Sequence, residues 1–174
     1  MPRKKTSPGL PYAVIDNTLL SRLAELDIAK FLPWLFKEIR IPPEVKREAY
    51  AAPHKGKRRL RKLIREMTGF FVDCTEADEM INSYLKVELD VGEAAAIAQA
   101  SATQSLLLLD EKKGCRRARN MEIEVVRTAK LLILLQEKGA IKAVKPYLDQ
   151  LERTGFHLSE KDRRQILFEA GEES

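Results

Sequence analysis

Short, unbroken apolar runs alternate along the chain with longer segments whose apolar residues recur every three or four positions. Tyr12-Ala13-Val14-Ile15, Gly69-Phe70-Phe71-Val72 and Leu106-Leu107-Leu108-Leu109 are of the first kind, and Ile123-Glu124-Val125-Val126 is strand-like though broken by Glu124. An apolar run of about four or five residues fits a strand buried on both faces, as in a parallel sheet. Lys37 to Ile41 reads as a further, short edge strand. Leu19, Leu20, Leu23 and Leu26 recur at helical spacing after Asp16-Asn17-Thr18, and the patch from Ile28 to Phe36 continues that layer. Pro42-Pro43 suits a helix entry, where the missing N–H costs nothing. Leu60, Leu63 and Ile64 mark an amphipathic helix over 56–66.

Further helices are expected from Thr75, with Ala77, Met80, Ile81, Tyr84 and Leu85 along one face; from Asp90, over 91–102; and after Asp110. Thr128 to Lys138 is apolar almost all round and predicts a buried helix closed by Gly139. Helices over 142–154 and 159–170, the last capped by Ser159, complete the chain. Strands alternating with helices predict an α/β fold, a three-layer α/β/α sandwich around a mainly parallel sheet. Tyr12, Trp34, Phe70 and Phe71 fall on apolar faces and are expected in the core.

The 174 residues are enough for one domain with a full core, taken as residues 11–174 behind a basic flexible tail over 1–10. No apolar stretch approaches the roughly 20 residues that span a bilayer. The N-terminus has no apolar signal core, and the two cysteines, Cys74 and Cys115, form no paired motif. A reducing, cytoplasmic setting without a disulfide framework is the expectation. His54 and His157 show no zinc spacing. Cys115 stands among arginines that would lower its pKa, yet no histidine partner is identifiable.

The acids carry the candidate chemistry. The first run leads straight into Asp16 and the third into Asp110, and in open α/β sheets the carboxyl ends of the strands line the ligand crevice. Acids delivered to that edge predict a site for a hard cation, Mg²⁺ or Mn²⁺. The net charge of +5 is unevenly spread. His54 to Arg65 is densely basic, and Lys57, Arg58, Arg59, Arg61 and Lys62 are candidate nucleic-acid contacts, with Arg116 and Arg117 as a second cluster. A cationic rim around an acidic, metal-loading pocket suits a phosphodiester substrate. Aromatic residues are sparse, which argues against a stacking platform for single strands.

Four segments in order, Val14-Ile15-Asp16-Asn17-Thr18, Ile41-Pro42 with Val45 and Glu48, Leu89-Asp90 with Gly92-Glu93-Ala94, and Leu108-Leu109-Asp110-Glu111, resemble the PIN domain. The likeness is nearest to a prokaryotic subfamily of predicted nucleases related to toxin–antitoxin ribonucleases. Lys138-Gly139, Lys145-Pro146, Gly155-Phe156-His157-Leu158-Ser159 and Ala170-Gly171-Glu172 extend it over about residues 12 to 172. The resemblance implies an α/β/α fold and a Mg²⁺- or Mn²⁺-dependent endoribonuclease, in a family that includes the toxins of toxin–antitoxin pairs. It implies Asp16, Glu48, Glu93 and Asp110 as metal-binding and catalytic acids, with Asp16 and Asp110 as direct ligands. Asp90, Glu111 and Thr18 are second-rank candidates. RNA, a small antitoxin protein and a second copy of the chain are the implied partners, and no membrane. Where the subfamily has arginine this chain has Cys115, and where it has glycines this chain has Glu122, Arg127 and Lys130.

Each acid also has a plainer reading. Asp16 and Asp110 fit N-caps after strands, Asp90 and Glu93 fit a capping box, and Glu48 fits a solvated helix position. The basic helix fits an ordinary charged face or a tag for an acidic protein. The alternative function is a catalytically degenerate PIN-fold module that binds RNA or a protein partner.

Overall fold

The computed structural model describes residues 10–51, 55–75 and 78–172. The expected tail therefore lies outside them save for Leu10, as do His54 and Ala77. The strands β1 (Tyr12–Ile15), β2 (Glu38–Ile41), β3 (Phe71–Asp73), β4 (Leu106–Leu108) and β5 (Val125–Val126) form one parallel sheet in the order β3-β2-β1-β4-β5. β2 is thus an interior strand and not the expected edge: Ile39 and Ile41 are buried while Glu38 and Arg40 pair with each other at 3.0 Å. Gly69, at φ +95°, turns the chain before β3, so that strand is shorter than its apolar run.

Side-chain alternation divides the core between the two faces. Ala13 and Ile15 of β1 pack with α1 (Asn17–Glu25), α2 (Pro43–Tyr50), α3 (Lys55–Glu66), α7 (Thr128–Glu137), α8 (Lys145–Arg153) and α9 (Glu160–Glu169). Val14, between them, packs with α4 (Glu79–Leu85), α5 (Val91–Thr103) and α6 (Lys112–Asn120) on the other face. The patch after α1 forms a 3₁₀ helix over Ala29–Trp34, tightened around Pro33. These layers are the expected α/β/α sandwich.

Several local expectations change. Asp78, not Thr75, caps α4 through the N–H groups of Met80 and Ile81. Only Leu85 and Ile81 of its expected apolar face turn inward, and Met80 and Tyr84 are exposed. Trp34 and Tyr12 also reach solvent, whereas Phe71 is core and Phe70 packs against it edge-on. Gly139 closes α7 at φ +77°, and Ser159 caps α9 as expected. Glu122 sits at φ +60°, the left-handed region, which explains a glycine expectation there. A side chain in that region costs roughly 1 kcal/mol.

The C-terminal end is tied back by Glu172. Its carboxylate accepts from Gln136 Nε2 and from the backbone N–H groups of Val144 and Lys145, serving the start of α8, where no residue caps locally. Glu172→Ala is expected to lower stability by about 1–2 kcal/mol in a urea titration, since it strips these N–H groups of their acceptor. An unchanged midpoint would make the tie dispensable.

Candidate active site

The chain leaves β1, runs outward through β2 and β3, then returns to place β4 against the other side of β1. Between β1 and β4 the direction of winding reverses, and a crevice opens at the carboxyl ends of the two strands. Asp16 follows β1 directly and Asp110 stands two residues past β4; the Asp16 N–H donates to the Leu108 carbonyl at 3.2 Å. A cleft of about 520 Å³ lies at this edge, with Thr18, Arg22, Asp90, Glu93, Asp110 and Glu111 on its wall.

Each of the four acids is held by an N–H group at the start of a helix. Asp16 caps α1, accepting from Leu19 N at 2.9 Å and Thr18 N at 3.2 Å. Glu93 reaches back to the Asp90 N–H and Glu48 accepts from the Gly92 N–H, both at the start of α5. Asp110 accepts from the Thr128 N–H at 2.9 Å and its hydroxyl at 2.6 Å, at the start of α7. The plainer readings change accordingly. The capping box is only half formed, since the exposed Asp90 side chain makes no cap bond and Glu48 stands in for it. Asp110 does not cap the helix that follows it; Glu111 does, through the Lys113 N–H.

Gly92 makes room for this arrangement. A Cβ there would meet both Glu48 carboxylate oxygens at 2.8 Å. Gly92→Ala should therefore push Glu48 off its N–H donor. Alanine in a helix gains about 1 kcal/mol over glycine, and that gain is expected to be cancelled. Thermal melting would check it, and a stabilised variant would show that Glu48 moves aside freely.

Asp16 and Asp110 are buried, and so is Glu93. Burial pushes the Asp16 carboxyl up to about 7 against the backbone bonds that lower it, with the Asp110 charge adding to the rise. Glu93 is likewise raised to about 7, first by burial and then by the charges of Asp90 and Asp16. Burial and Asp90 also raise Glu48. The acids thus form one electrostatic chain running from Asp110 through Asp16 and Glu93 to Asp90 and Glu48.

Residues beyond those acids complete the surroundings. The Arg22 guanidinium donates to Asp110 and lies 4.5 Å from the Phe156 ring centroid. Arg127 Nε stands 4.0 Å from the other Asp110 oxygen. Thr18 and Arg22 are one helical turn apart and share the cleft wall, which is the signal that spacing offered for Arg22. Thr128 carried none, because its bonds to Asp110 join segments 18 residues apart. Cys115 is buried, with its thiol on the Leu109 carbonyl at 3.3 Å, and burial raises its pKa despite the arginines. It is a core residue and not an activated thiol.

A family model described as PIN domain (DUF3368) matches residues 12–172. The chain belongs to the PIN-domain family. This is a nuclease-type fold whose members generally use divalent metal ions. A search of solved structures gives a PilT N-terminus domain protein, SSO1118, from the hyperthermophilic archaeon Sulfolobus solfataricus P2. It is 11% identical with a TM-score of 0.41, over 86% of this chain and 98% of that one. No curated protein matches the chain. Among the described residues no helix is long and apolar enough to cross a membrane.

The acids gathered in this PIN domain are of the donor type that a hard cation takes. All are carboxylate oxygens oriented by backbone bonds, and burial, with neighbouring acid charge behind it, raises Asp16 and Glu93. Among the described residues no three His, Cys, Asp or Glu side chains converge into a closed cluster. Mg²⁺ is usually held by one or two carboxylates, with water and substrate phosphates completing its shell.

Proposed function

We propose that the chain is a divalent-cation-dependent endoribonuclease that hydrolyses RNA phosphodiester bonds in the cleft between β1 and β4. The observation that carries this reading is the juxtaposition of buried Asp16 and Asp110 at the ends of adjacent strands, with Glu93 electrostatically coupled to Asp16. Asp16 and Asp110 would hold Mg²⁺ or Mn²⁺ directly, and Glu93 and Glu48 through water. Bound there, the ion supplies a more acidic water and stabilises charge developing on the phosphate.

The chain's own groups do the rest. Backbone N–H groups of α1, α5 and α7 fix the carboxylates, so little reorganisation is needed when charge develops. Arg127, Lys112 and Lys113 line the cleft and give the phosphates a cationic margin. On α3, Lys57 and Arg61 donate to the carbonyls of Glu48 and Ala49, leaving Arg58 and Arg59 as the exposed pair for a passing strand. Lys62 has Glu66 at 3.6 Å and Arg117 has Glu88 at 3.7 Å, both within the chain. A small antitoxin protein and a second copy of the chain are partners that the reading extends to, on the likeness to toxin–antitoxin ribonucleases.

The test is incubation of the full chain with labelled RNA in millimolar Mn²⁺ and in EDTA. Internal cleavage that needs the ion and is lost in Asp110→Asn is the expected result. Binding without cleavage in either buffer would leave a non-catalytic PIN module, a reading favoured by the arginine already seated on Asp110.

A further inference from the structure

The exposed Tyr84 ring lies beyond the cleft on α4, where spacing had set it along the helix's one apolar face. Tyr84 is 62% exposed, and Arg117 of α6 covers it with its guanidinium 4.9 Å from the ring centroid. A continuous set of contacts joins this ring to the cleft. Lys113 donates to the Glu88 carbonyl at 2.7 Å, the Glu88 carboxylate pairs with Arg117, and Glu88 and Lys113 both stand on the cleft wall. Val87 and Val91, also exposed, flank Glu88 in the chain between α4 and the start of α5. The lip is therefore apolar and aromatic with cations beside it, and the acids lie at its inner end.

We infer, against the expectation drawn from the sparse aromatic residues, that Tyr84 and Arg117 form a base-stacking platform that takes one unpaired nucleotide of a strand leaving the cleft. The inference rests on the nuclease reading for the identity of the cleft, but not for the act of binding. An unpaired base offers a flat apolar face to the open side of the ring and a phosphate to Lys113 and Arg117. In a duplex the faces are already stacked and only backbone and groove edges are presented. Base–aromatic stacking tolerates any sequence, because every base has a π-face. The charge of the lip argues for a polyanion over an apolar protein segment. Arg117 lies over the ring, Lys113 is held beside it by the Glu88 carbonyl, and Lys112 and Arg116 stand on the same helix, α6, with Glu88 as the counter-charge of Arg117.

Fluorescence anisotropy in EDTA, where no metal-dependent cleavage occurs, tests this on the full chain. The probes are a labelled RNA of about 12 nucleotides, within the usual site size, and the same strand annealed to its complement. Tyr84→Ala is expected to weaken single-strand binding about tenfold and to leave duplex binding unchanged, while Tyr84→Phe keeps wild-type affinity. Melting temperature serves as the fold check, and Tyr84 is exposed enough to leave it unaltered. Equal single-strand binding by Tyr84→Ala and wild type overturns the inference, as does an equal loss on duplex. Sedimentation provides the other control: a wild-type dimer that Tyr84→Ala makes monomeric, without loss of RNA affinity, would assign the ring to a contact between copies. Cleavage in Mn²⁺ is scored separately. Tyr84-dependent binding without cleavage sinks the nuclease reading alone, and cleavage without Tyr84 dependence sinks the platform alone.

Discussion

Asp16→Asn is expected to abolish Mn²⁺-dependent cleavage while making the protein harder to melt at pH 8. The two effects have one cause. Asp16 is buried behind β1, with its carboxyl raised from the ordinary 3.8 to about 7. A raised carboxyl binds its proton more tightly in the folded protein than in the unfolded chain. The contribution of this group to stability is therefore fully present below about pH 4, falls as the pH climbs toward 7, and stays at the lower level above it. Holding the ionised group costs roughly 4 kcal/mol. Asparagine keeps a side-chain oxygen for the Leu19 and Thr18 N–H groups and caps as well as aspartate. Its amide N–H₂ must then find partners, which returns about 1–3 kcal/mol of the gain. A net rise of about 2–12 °C above neutral pH follows, and the gain is lost near pH 4. Differential scanning calorimetry at both pH values, beside a cleavage assay, reads both effects. Cleavage at wild-type rate by Asp16→Asn would place the activity elsewhere or in a contaminant.

Arg22→Ala should produce the largest stability loss. The Asp110 side chain is 4% exposed, and Arg22 is its closest cation. Removing one partner of a buried pair leaves an uncompensated charge, which typically costs about 3–5 kcal/mol. Thr128 still donates twice to Asp110, and Arg127 is 4.0 Å away, so the expected loss is nearer 2–3 kcal/mol, or about 5–10 °C in metal-free buffer. Mn²⁺ is then expected to raise the melting temperature of Arg22→Ala by more than that of wild type, because the ion no longer competes with a guanidinium for Asp110. Arg22→Lys should fall between, since lysine keeps the charge but loses the planar stacking on Phe156. Equal metal-induced shifts in all three proteins would rule out competition at Asp110.

The sheet was legible in the chain because strands buried on both faces must be apolar throughout, and Leu106 to Leu109 can hardly be anything else. Acids at the ends of two such runs were legible for the same reason, since parallel strands bring like ends together. Chain order alone could not show that β2 is interior, because Glu38 and Arg40 neutralise each other as a pair and look like an exposed edge when read singly. The bonds that orient the acids were also hidden. Asp110 meets Arg22 across 88 residues and Thr128 across 18, distances at which no periodicity operates. Tyr84 was misplaced because α4 has only seven residues, too few for a helical face to be read securely. The cap readings of Asp16 and Glu93 do not exclude their site readings, because the bonds that serve the helix ends also aim the carboxylates, and Glu48, expected as a solvated helix position, turns to the start of α5 as well.

That anchoring sets an order of assembly during synthesis. A nascent chain has all four acids once Asp110 has been made, but Asp110 lacks its Thr128 donors until α7 has emerged and docked. The aromatic face against Arg22 comes later still, with Phe156. A ribosome-bound or truncated chain can thus carry the complete acidic signature without the bonds that hold Asp110 in place.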